Sequence, residues 1–333
     1  ALESAGIAHC AIPTYHPSRR GGKWLQWLMA LPAIFKNVRL LRRQNRLAIV
    51  YSHAGDGVSL LRESVVLWTA RLAGAKTLLQ VHSPRVDNYL DNPVKRRLLR
   101  MAVVPADTVC TLTPWWRKRL QQCGVGRRVR VIPNPLPPEL WDRLHAERQR
   151  TARETDEDVR VLSMARLVAG KGVDVIVQAM AKLPANVQLT VAGDGDQRVA
   201  LQQLVDELGL RRRVRFTGWV SGEEKQQLLD AADIFCLPST YDAFPMSMVE
   251  AMANGIPVVA VRWGGIPDMM AHEKAGLLVD EAQPGPIADA IRQLLDRQAR
   301  LRMGVDAKQW IEGLSAPARV GEQLMDVIDE LVC

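Results

Sequence analysis

The sequence predicts an α/β protein of two halves, each a parallel sheet covered by helices, facing each other across a ligand cleft. Three observations carry that expectation. At 333 residues the chain is long for one domain and suits two. Short apolar runs alternate with amphipathic ones through both halves, the pattern of strands feeding crossover helices. The charge also changes sign along the chain: residues 1–150 carry 25 Lys and Arg against 9 Asp and Glu, the remainder 19 against 27. The polar, charge-dense stretch 139–158 between them reads as the linker. Domains at 1–145 and 155–315 follow, with 316–333 as a last helix able to cross back to the first half.

In the first half the strand-like runs are 8–13, 48–51, 77–81, 108–112 and 130–132. Ahead of the second run, Trp24, Trp27, Leu28, Leu31, Ile34 and Val38 recur at helical spacing and lead into Arg39, Arg42, Arg43 and Arg46. A basic amphipathic segment of this kind suits either a core-covering helix or an anionic membrane surface. Pro32 is expected to end one helix there and start another. In the second half the runs are 159–164, 187–192, 214–217, 234–237, 257–261 and 277–279, with amphipathic segments at 173–183 and 200–208. Ligands of such sheets lie beyond the carboxyl ends of the strands.

Composition narrows the function classes. Hydrophobic residues make up 47% and charged residues 24% of the chain, enough for two cores and against global disorder. Five cysteines, Cys10, Cys110, Cys123, Cys236 and Cys333, have no C-x-x-C spacing, which argues against a zinc site or disulfide framework and for a reducing cytoplasm. No apolar run reaches the roughly 18 residues a membrane span needs, and the first residues carry no signal-peptide pattern. The basic first half suits nucleic acid, anionic lipid or a phosphorylated acceptor. Lacking any zinc finger, helix-turn-helix or RNA-recognition signature, nucleic acid is set aside. The expected location is the cytoplasm, with peripheral contact to the inner face of the plasma membrane.

The densest chemistry is LPSTYDAFPMSMVEAMANGIPVVAVRWGGIPD at 237–268: strand, polar loop, helix, strand and a Gly-Gly turn. Pro245 suits the first position of the helix, where its missing N–H is not needed. Amides around Phe244, Met246 and Ser247 then face outward with the positive end of the helix dipole behind them, a good phosphate cradle. Asp242 before the helix suits a sugar hydroxyl and Glu250 inside it a ribose, so the stretch reads as a nucleotide-sugar site.

The arrangement resembles retaining glycosyltransferases of sequence family four (group 1), which have the two-Rossmann (GT-B) fold. Their signature of an acid, seven residues, a Glu and AMA-x-G-x-PVVA is matched by D-AFPMSMV-E-AMANGIPVVA, followed by GGIPD. The likeness is strongest at about 159–280 and looser at 48–137. Asp242 and Asp268 stand where the family has Glu, each withdrawing its carboxylate by roughly 1.3 Å. The resemblance implies that Arg166 and Lys171 of ARLVAGKG clamp the donor diphosphate, where two cations stabilise the charge that grows as the sugar bond breaks. It gives Gly193 of AGDGDQR a place in a tight loop beside the donor, and Trp219 and Val220 of FTGWV a place beside the base. Ser239, with Thr240, reads as a turn residue able to touch phosphate. His82 of LLQVHSPR is implied to face the sugar or the acceptor hydroxyl, with His53 in a similar loop less well supported. Asn134 of VIPNPL, with Pro135 in place of the family's Gly, is implied to build the domain junction.

Several blander readings stand beside these. The P-loop frame fails at Ala165 and Gly172, and Arg198 occupies the third Gly of a dinucleotide fingerprint. Asp194 and Asp196 imitate a D-x-D metal motif but suit turn formation. For Trp219 burial is the commoner fate, and for His82 a capping role is equally open. The family's opening strand and glycine-rich loop have no counterpart in residues 1–6, from which an uncovered sheet edge and an inactive chain are expectations. The expectation is thus a metal-independent, cofactor-free retaining hexosyltransferase. It would use a UDP-sugar in preference to a GDP-sugar, on a glycan or lipid-linked acceptor in bacterial surface polysaccharide assembly. A nucleotide-sugar epimerase of related fold and an inactive binding module are the alternatives.

Overall fold

A computed structural model describes residues 11–12, 22–46, 48–145 and 158–332. The expected strand at 8–13 therefore lies largely outside the described residues, as do residues 1–6 and most of the expected linker. The chain divides into two compact units, one of residues Ala1–Asn134 with Pro317–Cys333 and one of Pro135–Ala316. The helix Pro138–His145 thus belongs to the second unit and the helix Pro317–Val332 to the first.

The first unit holds four parallel strands in the order β1 (Ile49–Ala54), β2 (Lys76–Val81), β3 (Thr108–Thr111) and β4 (Val129–Val131). These strands are apolar on both faces, as buried parallel strands must be. Period-two alternation sends Leu79, Val81, Val109 and Val129 to one face and Leu78 and Cys110 to the other. The first face is covered by the helices Gly22–Arg43, Val58–Ala73, Pro93–Val103 and Pro114–Gln122, through Trp27, Leu67, Leu99 and Leu120 among others. The second is covered by the helix Pro317–Val332, through Val320, Leu324, Val327 and Leu331. Arg130 fastens that helix by pairing with Glu330 at 2.6 Å.

One expectation fails in the helix Gly22–Arg43, which runs through Pro32 without a break. An interior proline forfeits one helical hydrogen bond and costs about 3 kcal/mol, and the buried side chains of Trp27, Ile34 and Val38 on either side of it offset that cost. Those same residues follow the core-covering reading of their stripe, while Leu28 of that stripe is 53% exposed.

The second unit holds six parallel strands: β5 (Val159–Met164), β6 (Val187–Ala192), β7 (Val214–Gly218), β8 (Ile234–Leu237), β9 (Val258–Val261) and β10 (Gly276–Val279). Their order across the sheet is β10-β9-β8-β5-β6-β7. The chain winds outward from β5 to β7, then returns to the other side of β5 as β8. The crevice between β5 and β8 is therefore the topological switch point, where sheets of this kind bind ligands. Val161, Ile176, Val177, Met180, Val187 and Ile291 pack one face, all nearly free of solvent. Each such aliphatic side chain contributes about 1.5–3 kcal/mol by burial. The switch point thus rests on a rigid base.

Candidate functional site

Two loops leave the carboxyl ends of β5 and β8 side by side and lock together. Thr240 N donates to Gly170 O at 2.9 Å, and the Ser239 hydroxyl donates to the same oxygen at 3.3 Å. Gly172, at φ 72°, lets the first loop pass so close that a Cβ there would stand 2.4 Å from Pro238 O. Across this seam Lys171 Nζ meets Asp242 Oδ1 at 2.5 Å. Lys171 is only 8% exposed, yet the second carboxylate oxygen of Asp242 is buried with no hydrogen-bond partner among the described residues. A buried acceptor without a donor is costly, so Asp242 presents an oxygen suited to a ligand hydroxyl. The Lys171 ammonium also lies 5.7 Å from the centre of the Tyr241 ring.

The loop after β5 is braced from its other side by the GDG turn after β6. Leu167 N donates to Asp194 O and Gln197 N to Leu167 O, each at 2.9 Å. Gly193 has φ 141°, and a Cβ on it would fall 1.9 Å from Ala165 O. This contact holds the backbone on which Arg166 stands. The Arg166 side chain itself is exposed and pairs with no described residue. The same turn employs Asp194 as a turn former. Asp194 spends one oxygen on Gly195 N and the other on Arg198, at 2.8 and 2.9 Å. Among the described residues no three His, Cys, Asp or Glu side chains gather as a metal site would require.

The helix after the β8 loop spans Met246–Ala253, so Pro245 is its N-cap and not its first residue. Pro245 O accepts from Met248 N and Val249 N at 3.1 and 3.3 Å. Phe244 and Pro245 are buried and anchor the loop, while Met246 and Ser247 stay half-exposed at the positive end of the helix. Glu250 lies one turn further in and receives Lys225 Nζ at 2.8 Å. Lys225 stands on the helix Gly222–Ala231, whose Gln226 also donates to Asn254 at 2.8 Å, so the two helices are tied twice.

Two expectations for single residues change here. Ser239 is fully buried with its hydroxyl occupied by Gly170 O and Tyr241 N, so it braces the loops and does not touch phosphate. Trp219 is 70% exposed at the end of β7, not buried, with Val220 half-exposed beside it. An indole kept in water by this much is free to stack on a flat ring. The sequence reading missed Lys225 altogether; its partner is 25 residues away and no local spacing marks it. A cavity of about 570 Å³, lined by Arg160, Arg213 and Arg215 among others, opens at the opposite ends of β5, β6 and β7. None of Arg166, Lys171, Asp242 and Glu250 lines it.

In the first unit the structure joins two residues that the sequence treats separately. His53 lies within β1, not in a loop after it, and its Nδ1 is 2.8 Å from Nε2 of His82, with ring centres 5.1 Å apart. His82 follows β2 and donates its backbone N–H to Ala54 O. Burial, then the neighbouring His53, lowers the His82 pKa to about 4; burial lowers that of His53 too. One ring must donate and the other accept, which requires a proton on only one of the facing nitrogens. Between the ordinary 6.5 and about 4 the unfolded chain binds a proton that folded His82 refuses. Folded stability therefore rises with pH across that window and flattens above it. Denaturant unfolding of His82→Gln should lack this part of the slope; a variant with the wild-type profile would place the titration elsewhere.

Comparison with known proteins follows the same two units. Residues 145–310 match the family described as glycosyl transferases group 1, and residues 6–140 match glycosyltransferase family 4. The chain belongs to the family 4, group 1 glycosyltransferases. An uncharacterised glycosyltransferase of Methanocaldococcus jannaschii is 34% identical over 175 residues, half of this chain and 45% of that relative. The chain thus spans less than half of that relative's length. A GDP-mannose-dependent alpha-(1-6)-phosphatidylinositol monomannoside mannosyltransferase of Mycobacterium tuberculosis is 28% identical over 84% of this chain and 75% of its own. Among solved structures, Anabaena HepE in complex with UDP aligns with a TM-score of 0.72 at 22% identity, covering 90% of this chain and 82% of that one. The glycosyltransferase has the GT-B fold of two parallel α/β units.

Proposed function

We propose that this glycosyltransferase is a metal-independent, retaining hexosyltransferase. It would move a sugar from a nucleoside diphosphate to a glycan or lipid-linked acceptor in bacterial surface-polysaccharide synthesis. The observation that carries the reading is the Lys171–Asp242 pair at the switch point, which leaves one carboxylate oxygen unsatisfied among the described residues and joins Asp242 to the loop that also bears Arg166. Asp242 and the start of the helix Met246–Ala253 hold the sugar and its phosphate, Glu250 the ribose, and Trp219 with Val220 the base. As the glycosidic bond breaks, negative charge grows on the departing diphosphate. Lys171, held by Asp242, and Arg166, on the same loop, meet that charge as it develops, so they stabilise the transition state more than the bound donor. Retention follows if the leaving phosphate takes the acceptor proton on the same face of the sugar. His82, kept neutral at physiological pH, serves as a hydrogen-bonding partner of sugar or acceptor.

A UDP-sugar is the first donor to try, as HepE holds UDP, and GDP-mannose the second, as the mycobacterial relative uses it. The test screens UDP- and GDP-sugars for thermal stabilisation and for donor hydrolysis or transfer, with and without EDTA. The expected result is stabilisation by one nucleotide series and turnover that EDTA leaves unchanged. Turnover lost on chelation refutes the metal-free mechanism. Binding with neither hydrolysis nor transfer marks an inactive module, and conversion of the donor alone an epimerase.

A further inference from the structure

The helix Val58–Ala73 carries apolar residues on its uncovered side as well as on the side packed against the sheet. Leu60, Val66, Leu67, Ala70 and Ala73 face the sheet and are buried. Val58, Leu61, Val65, Trp68 and Leu72, spaced three and four residues apart, form a stripe on the other side, with Leu61 62% and Leu72 73% exposed. A contiguous exposed apolar stripe of this kind marks a surface that meets a partner or a membrane. Its neighbour Pro93–Val103 repeats the pattern: Leu99, Ala102 and Val103 face the sheet. Val94, Leu98 and Met101 point away, with Val94 70% exposed. These helices share one layer on the sheet through Leu60, Leu67 and Leu99, and Gly22–Arg43 packs against Val66 and Ala70 on the flank.

Charge tells what covers the layer. The helices Gly22–Arg43 and Pro93–Val103 contain no acidic residue, and Val58–Ala73 has only Glu63, which is buried against Ser52. Lys95 and Arg97 stand exposed beside Val94 and Leu98, and Lys36, Arg39 and Arg43 beside Phe35 and Leu40. Asp91, just before the helix Pro93–Val103, is paired with Arg119. An apolar stripe rimmed by cations, with the exposed Asp91 at its edge already paired to Arg119, matches the interface of an anionic bilayer, with aliphatic groups among the acyl chains and Lys and Arg at the headgroups. A protein partner or a second copy would need acidic groups to meet those cations, and this layer supplies none for itself.

We propose that the outer face of the helices Val58–Ala73 and Pro93–Val103 docks this glycosyltransferase on an anionic lipid surface. The proposal deepens the membrane-side setting of the acceptor given above, and it moves the contact from the stripe around Trp27 to a different face. Sedimentation with mixed phosphatidylcholine–phosphatidylglycerol vesicles tests it against pure phosphatidylcholine, at low and high salt. The expected result is binding to the mixed vesicles only, reduced by salt because the cations act through a screened field. The double variant Leu61→Glu, Leu72→Glu should bind about tenfold less, since two aliphatic groups leave the acyl region and two charges oppose the lipid. A triple variant Lys95→Gln, Arg96→Gln, Arg97→Gln, which leaves the stripe whole, should lose most of the anionic preference. Circular dichroism and nucleoside diphosphate stabilisation should match wild type in both, which keeps this outcome separate from failure of the enzymatic reading. Wild type that ignores the vesicles, or variants that bind as wild type does, would overturn the proposal. A dimer dissolved by the double variant, with no vesicle binding, would assign the face to a second copy.

Discussion

Arg166→Ala reduces sugar transfer by about 10²- to 10³-fold, the loss that follows removal of one charge-stabilising group from a transition state. The effect falls on turnover because the charge Arg166 meets is small in the bound donor and large as the bond breaks. Its side chain is exposed and unpaired among the described residues, so the melting temperature should not move. Steady-state kinetics with the donor found by screening, alongside a melting curve, separates the two. Full turnover in the variant would remove Arg166 from the diphosphate. Lys171→Ala is a less clean experiment, as it also strands the carboxylate of Asp242.

Gly193→Ala lowers the melting temperature by about 6–12 °C, the shift that roughly 3 kcal/mol produces in a unit of this size. Two penalties coincide there. The backbone sits at φ 141°, outside the range of an L side chain, and the new methyl would stand 1.9 Å from Ala165 O. Neither atom can yield without moving the Arg166 loop, so the variant that survives should also lose donor stabilisation. Calorimetry of purified protein with and without nucleotide reads both. An unchanged melting curve would mean that the GDG turn is not clamped against that loop.

The sheets were legible because buried parallel strands leave a plain mark: runs such as 159–164 and 187–192 are apolar or small at nearly every position. Each strand of the second unit falls within a residue or so of its expected place for that reason. Motif spacing likewise located the loops of Arg166, Lys171 and Asp242, since all three sit within a few residues of a strand end. What spacing cannot carry is contact between elements. Lys225 with Glu250, and His53 with His82, meet only because separate strands and helices place them together. The burial of Ser239 and the exposure of Trp219 were not legible, because exposure at a strand end depends on the neighbouring loop and not on residue type. Pro32 misled for a related reason, local propensity yielding to the core on both sides of it.

The helix Pro317–Val332 closes one face of a sheet whose strands end near residue 131. During synthesis those strands emerge long before their cover, separated from it by the whole second unit. Leu78, Cys110 and Ile132 must wait, solvent-facing, until residues 317–332 clear the ribosome. A premature stop that spares every residue around Lys171 would thus still leave a sticky, half-finished first unit, a natural target for chaperones and proteases.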